Sequence, residues 1–99
     1  MRIIAVSTLR AFWNLPGRQD AEQPLRTWVH IVKAADWSKP TDVKQVFNSA
    51  DILPGGRAVF DLGGNKYRLV AAIHCRGKRV YVRFIGTHKE YDGIDARKI

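Results

Sequence analysis

The run Thr87-His88-Lys89-Glu90-Tyr91-Asp92 brings an imidazole, an ammonium, two carboxylates and a phenol into six consecutive positions of a 99-residue chain. An imidazole titrates near neutrality, with an unperturbed pKa of about 6.5, and an ammonium or phenol can give up a proton. Upstream, Arg68 adds a guanidinium able to clamp a phosphate through paired N–H donors. These types suit the cleavage of RNA by its own 2′-hydroxyl. That route needs a base for the 2′-OH proton, an acid for the 5′-oxygen leaving group and cations around the pentavalent phosphorus. No metal or cofactor is expected, because His30, His74 and His88 stand far apart and none has ligand spacing with Cys75. Taken by residue type alone, the same run also reads as an exposed strand-end loop.

The charge of the chain points to the same stretch. Seventeen Lys and Arg against nine Asp and Glu give +8, which implies a polyanionic partner: nucleic acid, an acidic protein or an anionic membrane. From Arg57 to Lys89 there are eight cations and one acid, Asp61, so +7 of that surplus falls in one third of the sequence. A hydrophobic content of 45% is too high for a disordered tail, and the length leaves no room for a cofactor domain beside a substrate domain. Ile3–Val6 is too short an apolar run for a signal-peptide core and nothing later approaches a membrane span. A single Cys forbids an internal disulfide. One cytoplasmic domain over residues 1–99, without a membrane partner, is expected.

The elements that must position these residues fall into two halves. Arg2–Val6 reads as an opening strand. Ser7 is placed to cap a helix carrying Leu9, Phe12 and Trp13, which Pro16-Gly17 ends. Asp20 and Gln23 resemble a capping box ahead of a second helix whose Leu25, Trp28, Val29 and Val32 share one face. Thr41 opens a third with Val43, Val46, Phe47 and Ala50. The three aromatic residues Phe12, Trp13 and Trp28 continue these stripes and are expected in the core.

After residue 56 the period changes to two, and Arg57–Leu62, Tyr67–Cys75 and Arg79–Thr87 predict three antiparallel strands. A two-residue turn at Gly77-Lys78 would pair Arg76 with Arg79, His74 with Tyr81, Ala72 with Arg83, Val70 with Ile85 and Arg68 with Thr87. The faces then sort into a core side, with Ala58, Phe60, Leu62, Leu69, Ala71, Ile73, Cys75, Val80, Val82 and Phe84, and a cationic side. The latter holds Arg57, Lys66, Arg68, His74, Arg76, Arg79, Tyr81 and Arg83, with Val59 and Asp61 among them. An α+β fold follows: helices on one face of a small, mainly antiparallel sheet, and an open basic face. Asp61 is placed to pair with Arg68 or Lys66 across the hairpin, and Asn65 to take the left-handed conformation its turn needs. The absence of an aromatic-rich sheet face or a helix-turn-helix disfavours an RRM or sequence-specific duplex reading, leaving single-stranded or structured RNA as the best polyanion.

The stretch Gly63-Gly64-Asn65-Lys66-Tyr67-Arg68, followed by Val82-Arg83-Phe84-Ile85-Gly86-Thr87-His88-Lys89-Glu90-Tyr91-Asp92, resembles the HigB toxins, RelE-like mRNA interferases of toxin–antitoxin systems. The helix at Lys39–Phe47 also fits the pattern. The resemblance implies a RelE-like fold and an endoribonuclease that stops translation by cutting mRNA on the ribosome. It further implies a cognate helix-turn-helix antitoxin that blocks the toxin and carries it to operator DNA. Mapped onto this chain, it marks Asn65 and Arg68 in the first motif and His88, Lys89, Tyr91 and Asp92 in the second. Arg68, His88, Lys89 and Tyr91 are the expected catalytic set, with His88 or Lys89 as base or acid. Arg57, Asn65, Lys66, Arg76, Arg79, Tyr81 and Arg83 are expected to bind RNA. The competing expectations are a non-catalytic RNA- or ribosome-binding module and a toxin-derived co-repressor, both using the same basic face.

Overall fold

The computed structural model describes residues 1–99. Strand β1 (Arg2–Ile4) leads into helix α1 (Val6–Trp13), a 3-10 turn at Gln19–Ala21 and helix α2 (Glu22–Ala34). A second 3-10 turn at Pro40–Asp42 runs into the short helix α3 (Val43–Val46). Then come β2 (Asp51–Leu53), β3 (Arg57–Leu62), β4 (Tyr67–His74), β5 (Arg79–Thr87) and a last helix, α4 (His88–Asp92). The sheet order is β1-β5-β4-β3-β2, antiparallel throughout except for β1 beside β5. This is the expected α+β architecture, with β2 as an edge strand that the sequence pattern did not announce.

The helices lie where their apolar stripes take them. Leu9, Phe12 and Trp13 of α1 and Leu25, Trp28 and Val32 of α2 are buried against Ala58, Phe60, Leu69, Ala71, Ile73 and Val80 on the inner face of the sheet. Edge-to-face ring pairs knit the two layers: Phe12 with Tyr67 at 5.5 Å, Trp28 with Phe60 at 5.5 Å and Phe47 with Phe60 at 5.0 Å. Such pairs contribute about 0.5–1.5 kcal/mol each beyond the area they bury. Two helix starts differ from expectation. Neither Ser7 nor Asp20 caps a helix, since α1 already begins at Val6 with Ala5 at its cap position and the Asp20 carboxylate is taken by Tyr67 and Lys66.

The β4–β5 register is the main correction. Lys78 is drawn away from the hairpin to Asp36 (2.7 Å) and to the Trp37 carbonyl (3.0 Å), and takes a positive φ of 55° itself. The turn is therefore four residues long, Cys75–Lys78, and His74 pairs with Arg79. Further along, Val82 faces Ala71 while Phe84 faces Val70, so Arg83 is the extra residue of a bulge. The bulge reverses the faces beyond it. Phe84 moves to the outer side, where it joins Val59, Val70, Tyr91, Ile94 and Ala96, and Ile85 takes the inward position opposite Leu69. The outer face is thus not open along its whole length: residues 94–99 roof part of it.

Candidate functional site

The register puts Arg68 opposite Gly86, two residues before α4 begins. Gly86 leaves no side chain there, and a Cβ would come within 2.6 Å of the Phe84 ring and 3.0 Å of Glu90. The six-residue motif that looked like a strand end is a helical turn with its own start signal. Thr87 Oγ1 accepts from the Glu90 amide at 3.2 Å, and Glu90 Oε1 accepts from the Thr87 amide at 2.8 Å, a reciprocal capping box. The His88 amide donates to the Lys66 carbonyl at 3.1 Å, which joins α4 to the start of β4.

On this frame the near end of the hairpin gathers Arg68, His88 and Tyr91. Arg68 is mostly buried, its side chain 15% exposed, and its Nη1 lies 2.5 Å from Asp61 Oδ1. Nη1 is itself buried, with the Asp61 carboxylate as its charged partner. The guanidinium carbon sits 6.0 Å from the centre of the Tyr91 ring, whose other neighbour is Phe84 at 6.4 Å. His88 Nδ1 is 3.3 Å from Asp92 Oδ2, one helical turn on. This contact leaves Nε2 as the imidazole nitrogen turned to other partners. Lys89 is exposed with no acidic partner, and Asn65 sits in the turn at φ 71°. Glu90 is turned the other way, into a paired contact with Arg18 (Nη1–Oε1 3.1 Å, Nη2–Oε2 3.2 Å). The Thr87 amide and Arg18 hold its carboxyl below the usual range, which suits a clamp better than a base.

Two of these ties reach residues that sequence reasoning missed. Arg18 and Asp20, both on the connection between α1 and α2, grip the site from the helix side. Asp20 accepts from Lys66 Nζ at 2.6 Å and from the Tyr67 hydroxyl. The Lys66 bond and then the Tyr67 bond depress the Asp20 pKa, and the Asp20 bond raises that of Lys66. Lys66 is thereby bent toward the helices and away from the outer face where it was expected. With partners 46 and 72 residues away, no local pattern could have signalled either residue.

Arg57, also expected on the open face, bonds the Ile99 carbonyl at 2.7 Å and so anchors the roofing segment. Of the remaining expected RNA-binding residues, Arg76 and Arg79 lie at the far end, while Tyr81 and Arg83 stand between the two ends, Arg83 at the bulge beside Ala71 and Val70. His74 meets Tyr81 edge-to-face at 5.0 Å, and the Arg83 guanidinium stands 5.6 Å from the Tyr81 ring. Arg76, Arg79 and Arg83 are exposed and in no ion pair. Six residues of strand, roughly 20 Å, separate His74 from Arg68. The structure therefore divides the expected site residues into two groups. Cys75, expected in the core, is half-buried against it, and burial raises its thiol pKa.

Comparison with known proteins bears on the same segment. The chain is 40% identical over 62 residues to the mRNA interferase toxin HigB of Escherichia coli (strain K12), a match covering 61% of this chain and 60% of that protein. The figures are the same for the mRNA interferase HigB of Shigella flexneri. For the mRNA interferase HigB of Escherichia coli O6:H1 (strain CFT073), identity is 33% over 72 residues, covering 71% of this chain and 70% of the relative. The chain thus spans 60% of the length of the first two relatives. A family model described as HigB_toxin, RelE-like toxic component of a toxin-antitoxin system, matches residues 21–94, from the end of the α1–α2 connection to just past α4. With most of its length inside that match, the chain belongs to the HigB_toxin family.

Proposed function

We propose that this chain is the toxin of a toxin–antitoxin module, an endoribonuclease that cleaves mRNA on the ribosome without a metal ion. The observation that carries the reading is Arg68 standing beside Tyr91 at one end of the hairpin, with His88 on the same short helix α4, in a family of RelE-like toxins. Arg68, fixed by Asp61, offers its remaining N–H donors to the scissile phosphate and stabilises the charge that grows on the phosphorane. His88, held by Asp92, and Lys89 are the acid–base pair, and Tyr91 orients the substrate beside Arg68. The base takes the 2′-OH proton, the 2′-oxygen attacks phosphorus, and the bond to the 5′-oxygen breaks as the acid protonates it. The products are a 2′,3′-cyclic phosphate and a 5′-hydroxyl. Arg76, Arg79, Tyr81 and Arg83, from the bulge to the far end, hold flanking RNA through phosphates and one stacking ring. A helix-turn-helix antitoxin neutralises the toxin and brings it to operator DNA, and the site of action is the cytoplasm.

Inducing the wild type and the Arg68→Ala, His88→Gln and Tyr91→Phe variants, then mapping RNA 5′ ends, tests this. Wild-type induction should arrest growth and create new ends within reading frames, and the variants should create few. Growth arrest without new ends would overturn cleavage and leave the RNA-binding module, which the neutralising contact of Asp61 on Arg68 would then favour.

A further inference from the structure

On the outer side of the helix layer, away from the candidate site, α1 and α2 leave a groove of about 260 Å³. Its lining comes from one ridge of each helix: Val6, Arg10 and Trp13 from α1, and Arg26, Val29, His30 and Lys33 from α2. The floor is apolar and the rim cationic. Arg26 is committed, bonded to Glu22 at 2.7 Å and standing 5.0 Å over the Trp13 ring, whereas Arg10, His30 and Lys33 are exposed and have no acidic partner. The α2 wall lies inside the segment matched by the family model and the α1 wall outside it.

We propose that this groove docks an acidic, amphipathic segment of a partner protein. An apolar side chain of that segment seats on the half-buried Val6 and Val29, and its carboxylates pair with Arg10, His30 and Lys33. Three observations favour this occupant. The volume lies below the ~300–1,000 Å³ of small-molecule sites. The groove offers unpaired bases no ring to stack on, because Trp13 is 4% exposed and its ring is already covered by Arg26. A second copy of the chain would bring another molecule of charge +8 to a cationic rim. The spacing fits as well: on α2, Arg26, His30 and Lys33 lie on one side, and carboxylates three or four residues apart on a partner helix have matching separations.

The test needs no knowledge of the partner and no RNA cleavage, so it stands whether or not the chain is a nuclease. A random-peptide display library is panned on the full chain and counter-selected on the R10E/K33E variant. Both positions are exposed, and an unchanged thermal midpoint confirms that the variant folds. The enriched peptides should be acidic with apolar residues at helical spacing. Their synthetic forms should shift the Trp13 indole and His30 ring resonances, leave Tyr81 unmoved, and bind the variant about tenfold or more weakly. Peptides without acidic residues, equal affinity for the variant, or displacement by oligouridylate from Trp13 and His30 would each overturn the proposal, the last in favour of an RNA site.

Discussion

At the near end of the β4–β5 hairpin, every charged group but Lys89 has a partner: Arg68 has Asp61, His88 has Asp92, Glu90 has Arg18 and Lys66 has Asp20. Roughly 20 Å away, at the turn, Arg76 and Arg79 have none; neither has Arg83, which stands at the bulge about halfway along, and only ring contacts order this part of the face. The charges are alike in kind and differ in how firmly they are held. A group that stabilises a transition state must already be in place, because reorienting it during the reaction would cost what its field supplies. A group that tracks a flexible polyanion gains from staying mobile, and its contribution is counterion release. On the proposed function, the near end suits the first task and the far end the second.

The sharpest way to break this division is at Arg68. Arg68→Ala should lower single-turnover cleavage of an RNA oligonucleotide by about 10²–10³-fold, the usual cost of losing one preorganised charge contact. RNA affinity at fixed salt should change far less. Arg68→Lys should recover little, since an ammonium cannot reproduce the planar fork beside Tyr91. Removing Arg68 also strands Asp61, so the double variant R68A/D61A serves as the folding control. If affinity falls as far as cleavage, Arg68 is a docking residue and the two ends do not differ.

A smaller effect is expected from the clamp behind α4. Arg18→Glu sets two carboxylates against each other and should move His88 and Tyr91 relative to Arg68, costing about ten- to a hundredfold in the cleavage step. Arg18 touches Glu90 and none of the residues proposed to act on RNA, so under the proposed function its role is positional. The swap R18E/E90R restores the attraction and should recover most of the loss, measured as rate at saturating RNA. It does not restore the bond from Glu90 to the Thr87 amide, so recovery should be incomplete. Equal damage in both single variants and the swap would mean that Arg18 only supports the fold.

Why the sequence announced some of this and not the rest is visible in single residues. The stripes at Leu9–Trp13 and Leu25–Val32, the pairing of Asp61 with Arg68 and the left-handed Asn65 all depend on neighbours close in sequence or directly across a strand. Those rules are local. Lys78 left its expected two-residue turn for Asp36, a contact that becomes available only after folding. The bulge at Arg83 then sent Phe84 outward to cover Val59 and Val70 together with the chain end. Strand periodicity cannot anticipate one inserted residue. The family motifs marked this stretch without its geometry: the motif expected at a strand end is helical, and Glu90 points to Arg18.

The far end makes the complementary prediction. Replacing Arg76, Arg79 and Arg83 by Ala should weaken RNA binding. The slope of log affinity against log salt should become shallower by about 2, at roughly 0.7 per phosphate contact on a single strand. The cleavage rate at saturating RNA should hold. An unchanged slope would remove these arginines from the docking surface and leave their charge without a role in RNA binding.

The smallest effect concerns the polar knot at Asp20, and its sign is fixed by the directions of two shifts. Bonds from Lys66 and then Tyr67 depress the Asp20 pKa, so its contribution to stability is present above the unfolded value of about 3.9 and is lost as pH falls through the folded one. Burial, then the Asp20 bond, raises the Tyr67 pKa. Its contribution is therefore present below about 10 and fades as pH rises through the folded value. Asp20→Asn should flatten the acid limb of a plot of thermal midpoint against pH, and Tyr67→Phe the alkaline limb, each leaving the other limb in place for its remaining partners. Both variants keep the Arg18–Glu90 clamp, so neither should disturb cleavage as much as Arg18→Glu. A variant of Asp20 that did would place the grip on the site at Lys66, where the Asp20 bond and the His88 amide meet on one residue.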